Sequence, residues 1–400
     1  MSKCLSQILV VIMLISLSAC SYRAERSREN LPQSTRLDRA IVAAASARSQ
    51  ANLLNTPPSD TELYSGSDGG EEPEAYIYTE RVDGAIVFHL AHIVDPVHPL
   101  HLGLLHFKNE VETRSEGSLL VEIHDSATVG GDATLVSMVN GNQLDAAAIT
   151  IWGVWHTLTE YANLESLPFM FSNYEEAWAA YEGALGDWVT RNIIEPHGAR
   201  VLGYWTNGLR NFTNNVRPIY TPADLAGLRM RSPQIATNLA MYEEFGAASV
   251  SMSFDLLYDA LQAGTVDGQD NPFGQIHGGR LFEVQRYLSI SHHMFSSVPL
   301  IISNDFWNSL SAEHRLILLE SSAISGRYQG ELTRTMEEVQ LQEMLAFGTQ
   351  VNEVNRASFM AAVEPIWEDH VERFGTEFIS IASRYIDDTN ALAHQFRTRD

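Results

Sequence analysis

Histidine offers the first candidate chemistry. His92, His98, His101 and His106 crowd one stretch, and His98 and His101, three residues apart, could share a helix face as metal ligands. Pro99 lies between them, and no acidic partner is expected at ligand spacing beside them. Helix-start and pocket-lining roles are therefore expected, and His292-His293 is read the same way. Hydrolase and nucleotide signatures are missing: there is no Gly-x-Ser-x-Gly, no His-Glu-x-x-His, no P-loop and no Gly-x-Gly-x-x-Gly after a strand. Cys4 and Cys20 are the only cysteines. A thiolate nucleophile, a Cys-ligated zinc site and an iron–sulfur cluster are thereby excluded.

Charge narrows the rest. The formal net charge is −24, from 26 basic and 50 acidic residues, and only Lys3 and Lys108 are lysines. Nucleic acid, whose recognition needs a basic face, is not an expected partner. An anionic ligand would be opposed by the global field, so a local cation must dominate its site. Arginine is the available tool, and its planar fork matches a carboxylate with two parallel hydrogen bonds.

Candidate arginines sit in the most informative stretch. It contains Asn207-Gly-Leu-Arg-Asn-Phe-Thr-Asn214, Asp224-Leu-Ala-Gly-Leu-Arg-Met-Arg-Ser-Pro233, Ser251-Met-Ser-Phe-Asp-Leu-Leu-Tyr258 and Val266-Asp-Gly-Gln-Asp-Asn-Pro272. The elements around these segments alternate strand with helix. Ala85 to Ala91 is a short apolar strand candidate, and Leu100, Leu104, Phe107 and Val111 recur at helical spacing. Leu119 to Ile123 reads as a strand, Asp132 to Asn140 as a helix and Leu144 to Ile149 as a third strand. The alternation argues a parallel sheet covered by helices on both faces. Thr221-Pro222-Ala223-Asp224 carries the signals of a helix start. Phe254, Leu257, Tyr258 and Leu261 would line one helical face that stops at Gly264. From Ser311 to Phe347 no proline intervenes, so one long helix is expected, too long for a single lobe.

With the motifs in this order and at this spacing, the chain resembles the substrate-binding proteins of tripartite ATP-independent periplasmic (TRAP) transporters, the dicarboxylate-type family. Ala91-His92, His98-Pro99, Gly130-Gly131-Asp132, Leu167-Pro168-Phe169 and Phe282-Glu283-Val284-Gln285 belong to the same set, which spans about residues 85 to 345. The resemblance implies an α/β, two-lobed periplasmic-binding fold whose chain crosses the hinge more than once, braced by the long helix. One lobe would take residues 85–208 and 297–335, the other 209–296 and 336–400. It implies a binder rather than an enzyme, with no cofactor, which hands a small organic acid to membrane subunits driven by an ion gradient. A receptor feeding a membrane sensor kinase stands as the alternative, and an extracytoplasmic enzyme on the same scaffold as a more distant one.

Site residues carry over position by position. Arg231 matches the arginine that forms the salt bridge to the ligand carboxylate, Asn271 the amide of the Asp-Gly-Gln-x-Asn-Pro loop, and Phe254 the aromatic wall. Arg210 resembles a second ligand-contacting position, and Asp132 lies where a polar or acidic residue often nears the ligand. Trp152 and His92 are expected to line the pocket. Each also has a plain structural reading: a surface ion pair for an arginine, a fixed turn for Asn271, ordinary core for Phe254, and a helix N-terminal acid for Asp132. Asp270 and Ser232 depart from the family pattern, where glutamate and valine are usual.

The N-terminus supplies location. Lys3 precedes the apolar run Ile8 to Leu17, which is too short for the roughly 20 residues a bilayer span needs and suits a signal peptide. It ends in Leu17-Ser18-Ala19-Cys20, which resembles a bacterial lipobox with Cys20 as the lipid-modified residue; ordinary cleavage near Ala19 is the alternative. Residues 21–84, with Pro57-Pro58, Ser65 to Gly70 and Glu71-Glu72-Pro73-Glu74, read as a tether, in which Leu37 to Leu54 is read as a frayed, solvated segment, with one amphipathic helix as the alternative. The expected protein is thus extracytoplasmic and held to a membrane.

Overall fold

Phe88 and Leu90 set the first layer. They alternate along strand β1 (Ile86–Ala91) and point into a core completed by Leu100, Leu104, Phe107 and Val111 of the Pro99–Arg114 helix. The spacing of those four residues puts them on one helical face, as the sequence predicts. His98 caps this helix, its side chain accepting a hydrogen bond from Leu100 N at 3.1 Å, and Pro99 occupies the first turn. The structure, a computed structural model, describes residues 84–387 and 390–397. The signal-peptide, lipobox and tether expectations, including the Leu37 to Leu54 segment, lie outside the described residues.

Among the described residues, eleven strands build two sheets. In chain order they are β1 (Ile86–Ala91), β2 (Leu119–His124), β3 (Ala146–Ala148), β4 (Ala199–Leu209), β5 (Asn211–Asn214), β6 (Arg229–Ser232), β7 (Ala248–Ser251), β8 (Gly268–Asn271), β9 (Tyr287–Ile290), β10 (Phe295–Ser303) and β11 (Gln350–Glu353). The first sheet has the order β2-β1-β3-β10-β4 and the second β11-β9-β5-β8-β6-β7. The parallel sheet expected from the strands before residue 150 is found there, within sheets that are mixed as a whole. β1, β2 and β3 are parallel, but β10 runs antiparallel to both β3 and β4, and β5 antiparallel to β8 and β9. The reason lies in connectivity. β4 leaves the first sheet and continues into β5 of the second with only Arg210 between them, while β9 of the second returns as β10 of the first. An outgoing and a returning strand that lie side by side must be antiparallel.

The Ala312–Phe347 helix has 36 residues, about 54 Å at 1.5 Å per residue. Ser311 caps its start by accepting from His314 N, and Gly348, at φ 115°, ends it in a left-handed turn. Ile317 and Leu318 pack in the core beside β1 and β10, whereas Met344 packs with Leu257, Leu261, Phe282 and Leu288 beside the second sheet. One helix therefore braces both layers. Among the described residues no helix is long and apolar enough to cross a membrane.

Gln329 on this helix serves β4 directly. Its amide accepts from Thr206 N at 2.9 Å and donates to Thr206 O at 2.7 Å, beside the register shift where Gly208 and Thr206 face Ser296 and Ser297. Gln329→Leu leaves two buried backbone groups unsatisfied, so denaturant unfolding should show a loss of roughly 2 kcal/mol. A neutral result would mean that the β4 backbone finds other partners.

Two local expectations also change. Thr221-Pro222-Ala223-Asp224 opens only a four-residue 3-10 turn, Pro222–Leu225, in which Asp224 accepts from Thr221 N at 2.8 Å. Phe254 lies outside the Leu257–Gln262 helix, on the bend before it, and is 37% exposed, so it neither belongs to the core nor lines that helix. Leu257 and Leu261 keep the buried face, and Gly264 has the positive φ of a helix stop.

Candidate ligand-binding site

Arg210 is the single residue between β4 and β5, where the chain passes from one sheet to the other. Its backbone pairs with the returning strand: Arg210 N donates to Met294 O at 2.9 Å, and His293 N donates to Arg210 O at 3.3 Å. Asn211 staples the same crossing, its Oδ1 accepting from Ser291 N and His292 N. The Arg210 side chain is buried and committed. Nε donates to Asp270 Oδ2 at 2.5 Å, Nη2 donates to the Asp270 carbonyl, and the guanidinium lies 4.6 Å over the Trp152 ring.

Asp270 is fully buried and the centre of a network. Tyr242 Oη donates to Oδ1 at 2.6 Å, and His293 Nε2 lies 3.3 Å from Oδ2 with its ring stacked on Phe212. Burial alone would raise the Asp270 pKa, but Arg210, then His293 and Tyr242, hold the carboxyl well below the usual carboxylate range. It is therefore an anion at all ordinary pH, and it balances the charge of Arg210 within hydrogen-bonding distance.

Arg231 is the contrast. It is 4% exposed on β6, and among the described residues its one hydrogen bond runs from Nε to Met252 O at 3.0 Å, with no acidic partner in ion-pair contact. Burial first, and then the like charge of Arg210, lower its pKa to about 10. It stays protonated near neutrality, and among the described residues neither Nη group has a hydrogen-bond partner.

Around these arginines the other expected residues fall unevenly. Asn271 ends β8, next to Asp270 and opposite Asn211 in register, and its amide donates to Gln269 Oε1. One of its amide donors is thus spent inside its own strand. Trp152 supports the face of Arg210. His92 is fully buried just after β1, with Nε2 3.0 Å from His101 Nδ1. Burial, and then His101 and His98, push its pKa down to about 3, so it is a neutral ring. Asp132 opens the Asp132–Asn140 helix, half-buried, with a carboxyl raised to about 6 by lost solvation. Among the described residues, neither Asp132 nor Phe254 has a hydrogen bond or ring contact with the two arginines.

Some participants were not foreseen. Tyr242, on the Ala236–Glu244 helix, meets Asp270 from a distant segment, where it joins His293, for which a helix-start or pocket-lining role was expected. Gln275 donates to Asn207 Oδ1 at 2.6 Å, joining the helix after Pro272 to β4. Asp270 stood in the sequence only as a departure from the family pattern; the nearby cation-rich motifs were the available signal for its role. Asp125 Oδ2 lies 4.0 Å from His101 Nδ1, a neighbour brought there from the end of β2 rather than by sequence spacing. His98 and His101 do not act as a pair on one helix face: His98 is the cap, and His101 turns to His92.

A fold of two mixed sheets joined by crossing strands and one bracing helix, with a buried cation beside the crossing, defines a two-lobed solute-binding protein. The family model for bacterial extracellular solute-binding protein, family 7, matches residues 90–373, and the chain belongs to this family. The 2,3-diketo-L-gulonate-binding periplasmic protein of Escherichia coli (strain K12) is 30% identical over 264 residues, 66% of this chain and 80% of that one. The sugar acid binding protein of Advenella mimigardefordensis strain DPN7T, solved with galactonate, superposes with a TM-score of 0.71 at 25% identity, covering 75% of this chain and 99% of that chain. A TRAP periplasmic solute-binding protein from Polaromonas sp. JS666, bound to D-erythronate, gives a TM-score of 0.71 at 26% identity over 76% and 99% of the two chains. The family is the one the ordered motifs of the sequence resemble.

Proposed function

We propose that this protein captures a polyhydroxy monocarboxylate, a sugar acid, and delivers it to the membrane subunits of a TRAP transporter, without catalysing a reaction. The observation that carries the reading is Arg231: a buried guanidinium with no acidic partner beside a second guanidinium that already has one. One uncompensated cation suits one carboxylate. The amides of Asn271, Asn207 and Gln275 can both donate and accept, which is what sugar hydroxyls require. Galactonate, D-erythronate and 2,3-diketo-L-gulonate, the ligands named for the relatives above, share this chemistry. Arg231 grips the carboxylate, Trp152, His92, Phe254 and Asp132 shape the remaining walls, and Arg210 contributes position more than charge. The lobes are residues 85–208 with 297–335, and 209–296 with 336–400, and they close about the crossing strands.

A thermal-shift screen of the chain without residues 1–20, against a library of sugar acids and dicarboxylates, tests this reading. Ligand at a hundredfold excess over Kd stabilises the folded state by about 2.7 kcal/mol. Sugar acids should raise Tm by roughly 5–10 °C for a domain of this size. A shift with dicarboxylates alone would replace the proposed substrate class.

Membrane tethering through lipidated Cys20 completes the reading. Cys20→Ala should abolish incorporation of labelled fatty acid and move the protein to the soluble periplasmic fraction. Unchanged membrane association would reject the anchor.

A further inference from the structure

We propose that His89, Glu122 and His124 form a binding site for a divalent transition-metal ion of the zinc class, on the first sheet and separate from the arginine site. The register of the parallel β1–β2 pair creates it. His89 stands opposite Glu122, and Ala91 opposite His124, so the three side chains share one face of two adjacent strands. Phe88 and Leu90 fill the other face with core. No sequence motif marks this site, because His89 and His124 are brought together across strands rather than along one.

Its dimensions suit an ion. His89 Nδ1 lies 3.1 Å from His124 Nε2 and 3.6 Å from Glu122 Oε2, and one ligand atom from each of the three residues lies within 4.8 Å of the others. Ligands about 2.0–2.2 Å from a tetrahedral zinc ion stand about 3.3–3.6 Å apart. Two imidazoles and a carboxylate form the borderline donor set preferred by zinc, cobalt and nickel, with one position open to water. The two rings can hold each other by a hydrogen bond before any ion enters, so little reorganisation is required. His89 is buried at 8% exposure, which fixes its ring, while Glu122 is exposed and gives solvent access.

Zinc titration of the untagged protein against a chromophoric chelator tests the proposal. One ion should bind per chain, raise Tm and, when replaced by cobalt, give the intense visible bands of a four-coordinate site. Removing an outer-shell partner already costs roughly 10–100-fold in metal affinity, so losing a ligand in His124→Gln should cost at least tenfold. Glu122→Gln provides a second variant at an exposed position, where folding is not at risk, and should also lose at least tenfold and the zinc-dependent rise in Tm. His101→Gln, at the neighbouring histidine pair, should bind as wild type. Absence of zinc binding, or equal binding in wild type, His124→Gln and Glu122→Gln, would overturn the site. So would loss of the ion in His101→Gln alone.

Discussion

Arg231→Gln should lower affinity for the acid ligand by two to three orders of magnitude while leaving the free protein as stable as wild type, or slightly more so. Removing one partner of a buried, hydrogen-bonded charge pair costs about 2–5 kcal/mol of binding, at about 1.4 kcal/mol per decade of Kd. In the unliganded protein the same change costs almost nothing. The Arg231 side chain holds one hydrogen bond to Met252 O, and burial and then Arg210 disfavour its charge by more than Asp270, Tyr242 and Asp255 favour it. Calorimetric titration and a melting curve on the same sample separate the two effects. Equal affinity in the variant would show that Arg231 is structural; a large fall in Tm would show that its charge is satisfied in a way the geometry does not contain.

Asp270→Asn should do the opposite, damaging the fold first. It leaves the buried Arg210 guanidinium without a counter-ion, and a broken buried pair typically costs about 3–5 kcal/mol. At 2–4 °C per kcal/mol the fall in Tm is about 10 °C. The pH dependence carries a sign. Because the folded pKa of Asp270 is depressed, its stabilisation is fully present above the ordinary carboxylate range and is lost as pH falls toward the folded value. The deficit of Asp270→Asn relative to wild type should therefore be constant near neutrality and shrink in acid. Denaturant curves at pH 7 and pH 4 measure it. Arg210→Met in the Asp270→Asn background should recover part of the loss, since the isolated charge is then gone.

What the sequence disclosed follows from which interactions are local. The Pro99–Arg114 helix was legible because four apolar residues repeat on one face, and the Ala312–Phe347 helix because no breaker interrupts it. Arg231 was singled out by an ordered motif set, and the structure buries it on β6. Strand direction was not, since nothing local to β4 or β10 records that one leaves a sheet and the other returns. Pairing of Arg210 with Asp270 joins positions 60 residues apart, and neither residue alone announces it. Phe254 was misplaced by periodicity: it has helical spacing to Leu257 and Leu261, but the helix begins only at Leu257. The sequence also said little about the segment after Phe347. There Arg356 donates to His292 O at 2.8 Å and to Phe171 O at 3.0 Å, tying the C-terminal helices to the crossing segment.

The most direct measurement compares a sugar acid with its neutral counterpart, galactonate against galactose, by calorimetric titration of the wild-type protein at two salt concentrations. If a single uncompensated guanidinium anchors the ligand, the acid binds at least a hundredfold more tightly. Its affinity should change little between the two salts, because a closed cleft screens a buried pair only weakly. Equal binding of the acid and the neutral sugar would contradict the account at its centre.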